Sequence, residues 1–123
     1  MRIFDLEDRL IDFSVSVIKI ADQLPKTYPG KHLGAQIVRS GTSPALNYGE
    51  AQSAESRRDF IHKMKISLKE LRETSVNLKI IQRAGLQTNK PTLIQVMNEA
   101  NELISIFVKS IQTARNKRGR NNE

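Results

Sequence analysis

Hydrophobic residues recur at alternating intervals of four and three along three stretches of the chain, which is the spacing of one face of an α-helix. The positions are Leu6, Leu10, Phe13, Val17, Ile20 and Leu24 in the first stretch, Phe60, Ile61, Met64, Leu68, Leu71 and Leu78 in the second, and Leu93, Met97, Ala100, Ile104, Phe107, Ile111 and Ala114 in the third. The pattern predicts amphipathic helices that bury one face against each other.

Four helices are predicted in all, at about 5–24, 31–52, 56–84 and 92–118, with a basic tail over 115–123. Proline and glycine mark the connections at 25–30 and 86–91. Short connections make consecutive helices antiparallel, so the prediction is an all-α, up-down-up-down four-helix bundle in one domain, 1–123. In the first helix, Val15 and Ile18 are expected to widen the buried face, as packing on two neighbours requires.

The second helix contains residues that are unusual inside helices. Small residues at Gly34, Gly41 and Ala45 predict a close approach by a neighbouring helix, and Pro44 predicts a kink because proline lacks a backbone donor. The alternative interpretation is a loop from Ser40 to Pro44.

Four basic residues of the third helix follow one another at seven-residue intervals: Arg58, Lys65, Arg72 and Lys79. Seven residues complete almost two helical turns, so these side chains form one slowly drifting line. The line contains no acid. We call it the basic column and predict that it binds nucleic-acid phosphates, assisted by Arg115, Lys117, Arg118 and Arg120 of the tail.

A second line on the same helix contains Ile66, Glu73 and Ile80, again seven residues apart. It lies away from the main apolar face, so a monomeric bundle leaves the two isoleucines in contact with water. We therefore predict that this line is a subunit contact.

The overall charge agrees with a polyanion partner. Lys and Arg number 20 against 13 Asp and Glu, which gives +7 at pH 7. The chain has no cysteine and no apolar stretch long enough to cross a membrane, and acids occupy the place where a signal peptide is apolar. We expect a cytoplasmic protein.

Catalytic and metal-binding patterns are missing. Asp59 with His62 is the only pair that resembles a metal motif, and it lies off the apolar face. There is no nucleophile elbow or phosphate-binding loop. We therefore predict no enzyme activity, metal or cofactor. Polar residues in apolar surroundings are interpreted as structural, bonding backbone groups or one another across the bundle; they are Arg39, Asn47, Glu50 and Glu70. The alternative interpretation is that Glu50 and Arg39 help to define a functional rim.

Several short matches carry a resemblance to a known family: Arg39-Ser40, Asn47-Tyr48, Glu50-Ala51, Ala54-Glu55-Ser56, Asp59 to Lys63, Leu68-Lys69-Glu70 and Arg72-Glu73-Thr74. With these, residues 37–74 resemble the small four-helix-bundle proteins encoded in intervening sequences of bacterial 23S ribosomal RNA genes. The resemblance implies a bundle that assembles into a homopentamer. The accessory proteins of diversity-generating retroelements are similar, and they bind nucleic acid and reverse transcriptase through a basic pentameric barrel.

The combined prediction is a non-catalytic homo-oligomer, expected to be a pentamer, that binds RNA or DNA phosphates. The alternative is a scaffold for protein–protein contacts, whose positive face meets an acidic partner and which has no nucleic-acid role.

Overall fold

Four consecutive helices form an antiparallel bundle. The computed structural model describes residues 5–87 and 89–121, with side chains through Lys117 in the last helix. The helices are α1 (Leu6–Gln23), α2 (Tyr28–Gln52), α3 (Arg57–Arg83) and α4 (Lys90–Asn121). Each helix packs against the next, and a smaller contact between α1 and α4 closes the bundle. The predicted all-α, up-down-up-down architecture is confirmed.

The residue before each of α1, α3 and α4 accepts a hydrogen bond, through its side chain, from a backbone N–H in the first turn of the helix. Asp5 accepts from the Asp8 N–H at 3.0 Å, Ser56 accepts from the Asp59 N–H at 3.0 Å, and Asn89 accepts from the Thr92 N–H at 3.2 Å. These acceptors replace the partners that the first turn of a helix lacks.

Two helices begin earlier than predicted. The sequence places Pro29 and Pro91 in connections, yet they lie in the first turns of α2 and α4. Proline is tolerated there because an N–H in the first turn has no partner within the helix. Thr27 caps α2 by accepting from the Gly30 N–H at 3.3 Å. At its other end α4 continues to Asn121, three residues past the predicted end.

The apolar series of α1 is buried as predicted, each of its six members being at most 7% exposed. The prediction for α4 is less accurate. Val96 and Leu103 are buried, whereas Met97 and Ile104, which the sequence places in the series, are only partly buried. Both members of each pair lie within about 60° of Ala100 around the helix, on its two sides, so the spacing alone does not say which edge of the face is buried.

The outward face of α1 contradicts the sequence prediction. Val15 and Ile18 do not widen the buried face; each is 45% exposed, and Ile11 beside them is 46% exposed. The reason is that α1 packs extensively only against α2, while its contact with α4 is small. That small contact includes an ion pair in which Arg9 reaches Glu99 at 2.7 Å.

The middle of α2 is helical throughout, so the loop interpretation of Ser40 to Pro44 is wrong. Neighbouring helices supply hydroxyl groups to this segment. Ser14 of α1 donates to the carbonyl of Gly41 at 3.2 Å, and Ser67 of α3 donates to the carbonyl of Pro44 at 3.1 Å. These bonds tie α2 to both of its neighbours around the proline.

Gly41 is a place where α1 and α2 come very close. A Cβ added there would lie 2.7 Å from Cγ1 and 3.0 Å from Cβ of the buried Val17. The predicted role of Gly41 in a close helix contact is confirmed. At Gly34 a Cβ would meet its nearest atoms at an ordinary 3.7 Å, and at Gly49 it would meet nothing within 4 Å.

We predict that Gly41→Ala lowers the free energy of unfolding by up to about 2 kcal/mol. Overpacking costs about 1–3 kcal/mol, and the better helix propensity of alanine offsets up to about 1 kcal/mol of it. Gly49→Ala, in the same helix but in open space, should raise stability by about 0.5–1 kcal/mol. Urea unfolding followed by circular dichroism measures both.

A double-mutant cycle with Val17→Ala assigns the cause. If the methyl group introduced at position 41 clashes with Val17, the two substitutions together cost less than the sum of their separate effects. Additive costs would show that the close approach does not limit residue size at position 41.

Candidate nucleic-acid interface

The basic column lies on the solvent face of α3. Arg58, Lys65, Arg72 and Lys79 all reach solvent, whereas Met64, Leu71 and Leu78, about 100° around the helix, are fully buried. Each seven-residue step advances the helix by about 10 Å, so the column extends over about 31 Å. The packing of α3 therefore aims all four cations into solvent along one line.

None of these four side chains forms an ion pair in the part of the chain that the structure describes. Two carboxylates of the same helix are engaged elsewhere. Glu70 and Glu73 accept hydrogen bonds from Arg39 of α2, at 3.0 and 2.9 Å. The two acids thus bridge α3 to α2 instead of pairing with the column.

The bridge shifts the pKa values of Glu73 and Arg39 in opposite directions. The hydrogen bond from Arg39 lowers the pKa of Glu73, and the same carboxylate raises the pKa of Arg39. A second bridge joins Glu50 of α2 to Lys63 of α3 at 2.6 Å, and its hydrogen bond raises the pKa of Lys63.

The remaining residue that the sequence assigns a structural polar role is Asn47. Its amide donates to the carbonyl of Ser43 at 3.1 Å, one turn earlier in α2. Arg39, Glu50 and Glu70 bond across the bundle, and Asn47 bonds its own helix.

A groove of about 800 Å³ runs along α3 and is bordered by Arg39 of α2. We call it the α2–α3 groove. Leu68 and Val76 give it an apolar part, and Val76 is 55% exposed. Its charged side chains are Arg39, Lys65, Lys69, Arg72 and Glu73. Two members of the basic column therefore also line this groove.

The α4 cations lie near one end of the column. Arg115 and Lys117 are exposed, and the side chains of Arg118 and Arg120 lie outside the described part of the chain. Lys117 lines a second groove, of about 810 Å³, together with Arg57 and Lys109. Arg57 precedes Arg58 in sequence, so these cations adjoin the start of the column.

Sequence reasoning missed Arg57 and Lys109. Their proximity to Lys117 depends on the antiparallel alignment of α3 and α4, which pairs the start of one helix with the end of the other. The sequence contains a signal that could have found them: residues at similar distances before and after the α3–α4 connection lie side by side in an antiparallel pair.

The predicted subunit line is partly accessible. Ile80 is 45% exposed and Ile66 is half-buried. Glu73, between them, is held by Arg39 and lines the α2–α3 groove. That this line forms a contact between subunits remains a prediction.

Metal-binding and membrane-spanning features are both missing from the described residues. No three histidine or acidic side chains come together there as metal ligands. None of the helices described there has the length and apolar character needed to traverse a bilayer.

Comparison with known proteins assigns the chain to a family. Residues 5–109 match the family model of the 23S rRNA-intervening sequence proteins. The match covers α1, α2 and α3 completely and α4 as far as Lys109. This chain belongs to that family. Among proteins with curated descriptions, none matches it significantly.

A solved structure agrees with the family assignment. This family member is similar to a protein of unknown function from the S23 ribosomal protein family of Bacteroides thetaiotaomicron VPI-5482. The two share 31% sequence identity over 87% of this chain and 98% of the other, with a TM-score of 0.77. Neither the family description nor this relative names an enzymatic activity.

The bridge from Arg39 predicts a pH-dependent contribution to stability. Because the folded protein lowers the pKa of Glu73, the contribution is present above the pKa that Glu73 has in the unfolded chain, and it is lost as the pH falls through the lowered value. Glu73→Gln should therefore be slightly less stable than the parent at about pH 7 and equally stable at about pH 2.

Urea unfolding at both pH values measures this difference, and Glu55→Gln serves as the control because Glu55 is exposed in the α2–α3 connection. A gap between parent and Glu73→Gln that persists in acid would contradict the electrostatic explanation.

Proposed function

We propose that this family member is a non-catalytic, self-associating protein that binds RNA through phosphate contacts. The single observation that carries the proposal is the basic column, four solvent-facing cations of α3 without an ion-paired carboxylate among the described residues. Solvated protein surfaces ordinarily intersperse acids with bases, which cancels the field at a distance. An uncompensated line attracts polyanions and releases their condensed counterions.

The cations near the start of α3 extend the same surface. Arg57, Lys109 and Lys117 line one groove, and Arg58 follows directly in the column. With Lys79 at the far end, the proposed surface is longer than the column alone, which extends over about 31 Å. Stacking on unpaired bases is not part of the proposal, because no aromatic residue belongs to the column, and the proposed contacts are therefore to phosphates.

The alternative function, a protein–protein scaffold, is supported by a different observation. The α2–α3 groove combines exposed apolar area at Val76 with a cationic border. A surface of that composition suits an acidic amphipathic helix better than it suits a nucleic acid, because phosphates gain nothing from apolar side chains.

We predict that the affinity for a structured RNA falls steeply as salt rises from about 50 mM to about 200 mM. Replacing Arg58, Lys65, Arg72 and Lys79 by glutamine should reduce the slope of log K against log salt by about 3, because every phosphate that is no longer neutralised takes about 0.7–0.9 from the slope. Fluorescence anisotropy with a labelled RNA, on nuclease-treated protein, measures it.

The matched control removes the same charge elsewhere. Lys19, Lys26, Lys31 and Lys90 are exposed and lie outside the column, so their replacement by glutamine should leave most of the slope intact. Equal losses in the two variants would show that only net charge matters. Absence of binding at low salt would reject the RNA proposal and leave the scaffold.

A further inference from the structure

Two aromatic side chains at the start of α2 are exposed to solvent and stacked on each other. The ring centroids of Tyr28 and His32 lie 5.9 Å apart, and their planes differ by 18°. This is the offset-stacked arrangement that aromatic pairs prefer. Tyr28 is nevertheless 80% exposed, more than any other large hydrophobic side chain in the described part of the chain, and His32 is exposed too. We call these two residues the aromatic pair.

The aromatic pair lies on the side of α2 that borders α3. At 100° per residue, Tyr28 and His32 are each within about 20° of Arg39 around the helix. Arg39 forms ion pairs with Glu70 and Glu73 of α3, at 3.0 and 2.9 Å. The line of α2 that contains the two rings therefore runs beside α3, the helix that carries the basic column.

Along the bundle, the aromatic pair lies near the end of the column that Lys79 occupies. The hydrogen bond from Thr74 to Ser40 fixes the alignment of the antiparallel α2 and α3. His32 precedes Ser40 by eight residues and Lys79 follows Thr74 by five, so the two differ by about 5 Å along the bundle axis. By the same reckoning Arg83, which is exposed, lies at a level between the two rings.

The surroundings of the aromatic pair carry positive charge. The two segments that meet at this end of α2 and α3, residues 24–36 and 77–85, contain four Lys or Arg residues and no Asp or Glu. An anionic ligand is attracted to such a surface, and a ligand with flat rings gains contact area on the outer faces of the two aromatic side chains.

An unpaired RNA nucleotide has both of these properties. A base outside a duplex exposes its faces and stacks on rings such as those of Tyr and His, while its phosphate keeps its charge. In a duplex these faces are covered by neighbouring base pairs, so an aromatic surface distinguishes unpaired from paired RNA. A role in helix stability alone would use the contact between the two rings and not their outer faces.

We propose that the aromatic pair binds an unpaired base of RNA whose neighbouring phosphates lie on the basic column. The proposal rests on the RNA binding proposed above, and it names the kind of RNA that fits best: a paired stem followed by a single-stranded tail. The stem lies along the column through its phosphates, and the tail begins near Lys79, where the two rings are within reach.

The test compares two RNAs: a blunt-ended hairpin, and the same hairpin with a short unpaired adenosine tail. Fluorescence anisotropy on nuclease-treated, full-length protein measures both affinities at one salt concentration. A stacked base contributes about 5- to 150-fold to affinity, so Tyr28→Ala should weaken binding of the tailed hairpin at least about fivefold. Binding of the blunt hairpin should stay unchanged, which also shows that the variant is folded.

The tail adds phosphates as well as bases, so the decisive quantity is the part of the preference for the tailed hairpin that Tyr28→Ala removes. Tyr28→Phe keeps a ring and should keep this preference. Leu46→Ala is the matched control, because Leu46 lies on the same line of α2, is 69% exposed and is not aromatic. A 2-aminopurine base in the tail reports stacking directly: binding should quench its fluorescence with the parent and Tyr28→Phe but not with Tyr28→Ala.

The proposal is overturned if Tyr28→Ala binds both hairpins as the parent does, or if Leu46→Ala loses as much of the preference. Equal weakening of blunt and tailed hairpins by Tyr28→Ala would also overturn it, and would assign the aromatic pair to the stability of α2. In each of these cases the parent still binds the blunt hairpin, so phosphate binding by the column stands. Absence of binding to either hairpin rejects both proposals.

Discussion

The packing of α1 on α2 depends on a close approach at Gly41, where there is no room for a side chain. Because Val17 occupies the space of a missing Cβ, the two backbones come near enough for Ser14 to donate to the carbonyl of Gly41. On the other side of α2, Ser67 of α3 donates to the carbonyl of Pro44. Short polar side chains replace part of the apolar core at this level, and α2 becomes the helix to which both neighbours are fastened.

The four helices contact one another to different extents. α1 packs its buried face mainly on α2 and meets α4 in a smaller contact that includes the Arg9–Glu99 ion pair. Its remaining apolar residues then face solvent. α3 is sandwiched between α2 and α4, and it buries a polar Thr74, which donates to Ser40 of α2 at 2.8 Å. Two different surfaces follow: an exposed apolar row of Ile11, Val15 and Ile18 on α1, and a line of exposed cations along α3.

The architecture could be predicted well, because helical spacing reports which side of a helix is apolar. The whole series from Leu6 to Leu24 is buried as expected. Spacing does not report how many neighbours a helix has, and for that reason it wrongly assigns Val15 and Ile18 to the core. Pro29 and Pro91 are misassigned because proline disfavours a helix interior and suits a first turn, and the sequence alone does not say which position applies.

For the candidate site, too, one part could be predicted from the sequence and another part could not. The basic column could be predicted, since it depends only on the period of one helix. The α2–α3 groove and the proximity of Arg57 to Lys117 could not, since both depend on how separate helices align. Glu73 illustrates the limit: its position on α3 is evident from the sequence, but its bond to Arg39 requires the register of α2.

Salt distinguishes the two proposed partners that would meet Lys65 and Arg72. Phosphate binding gains its free energy from counterion release, so it weakens steeply with ionic strength. An acidic amphipathic helix in the α2–α3 groove would gain part of its free energy from apolar burial, which salt does not screen. A steep loss of affinity with rising salt therefore indicates a nucleic acid at these two cations, and a shallow loss indicates a protein partner in the groove.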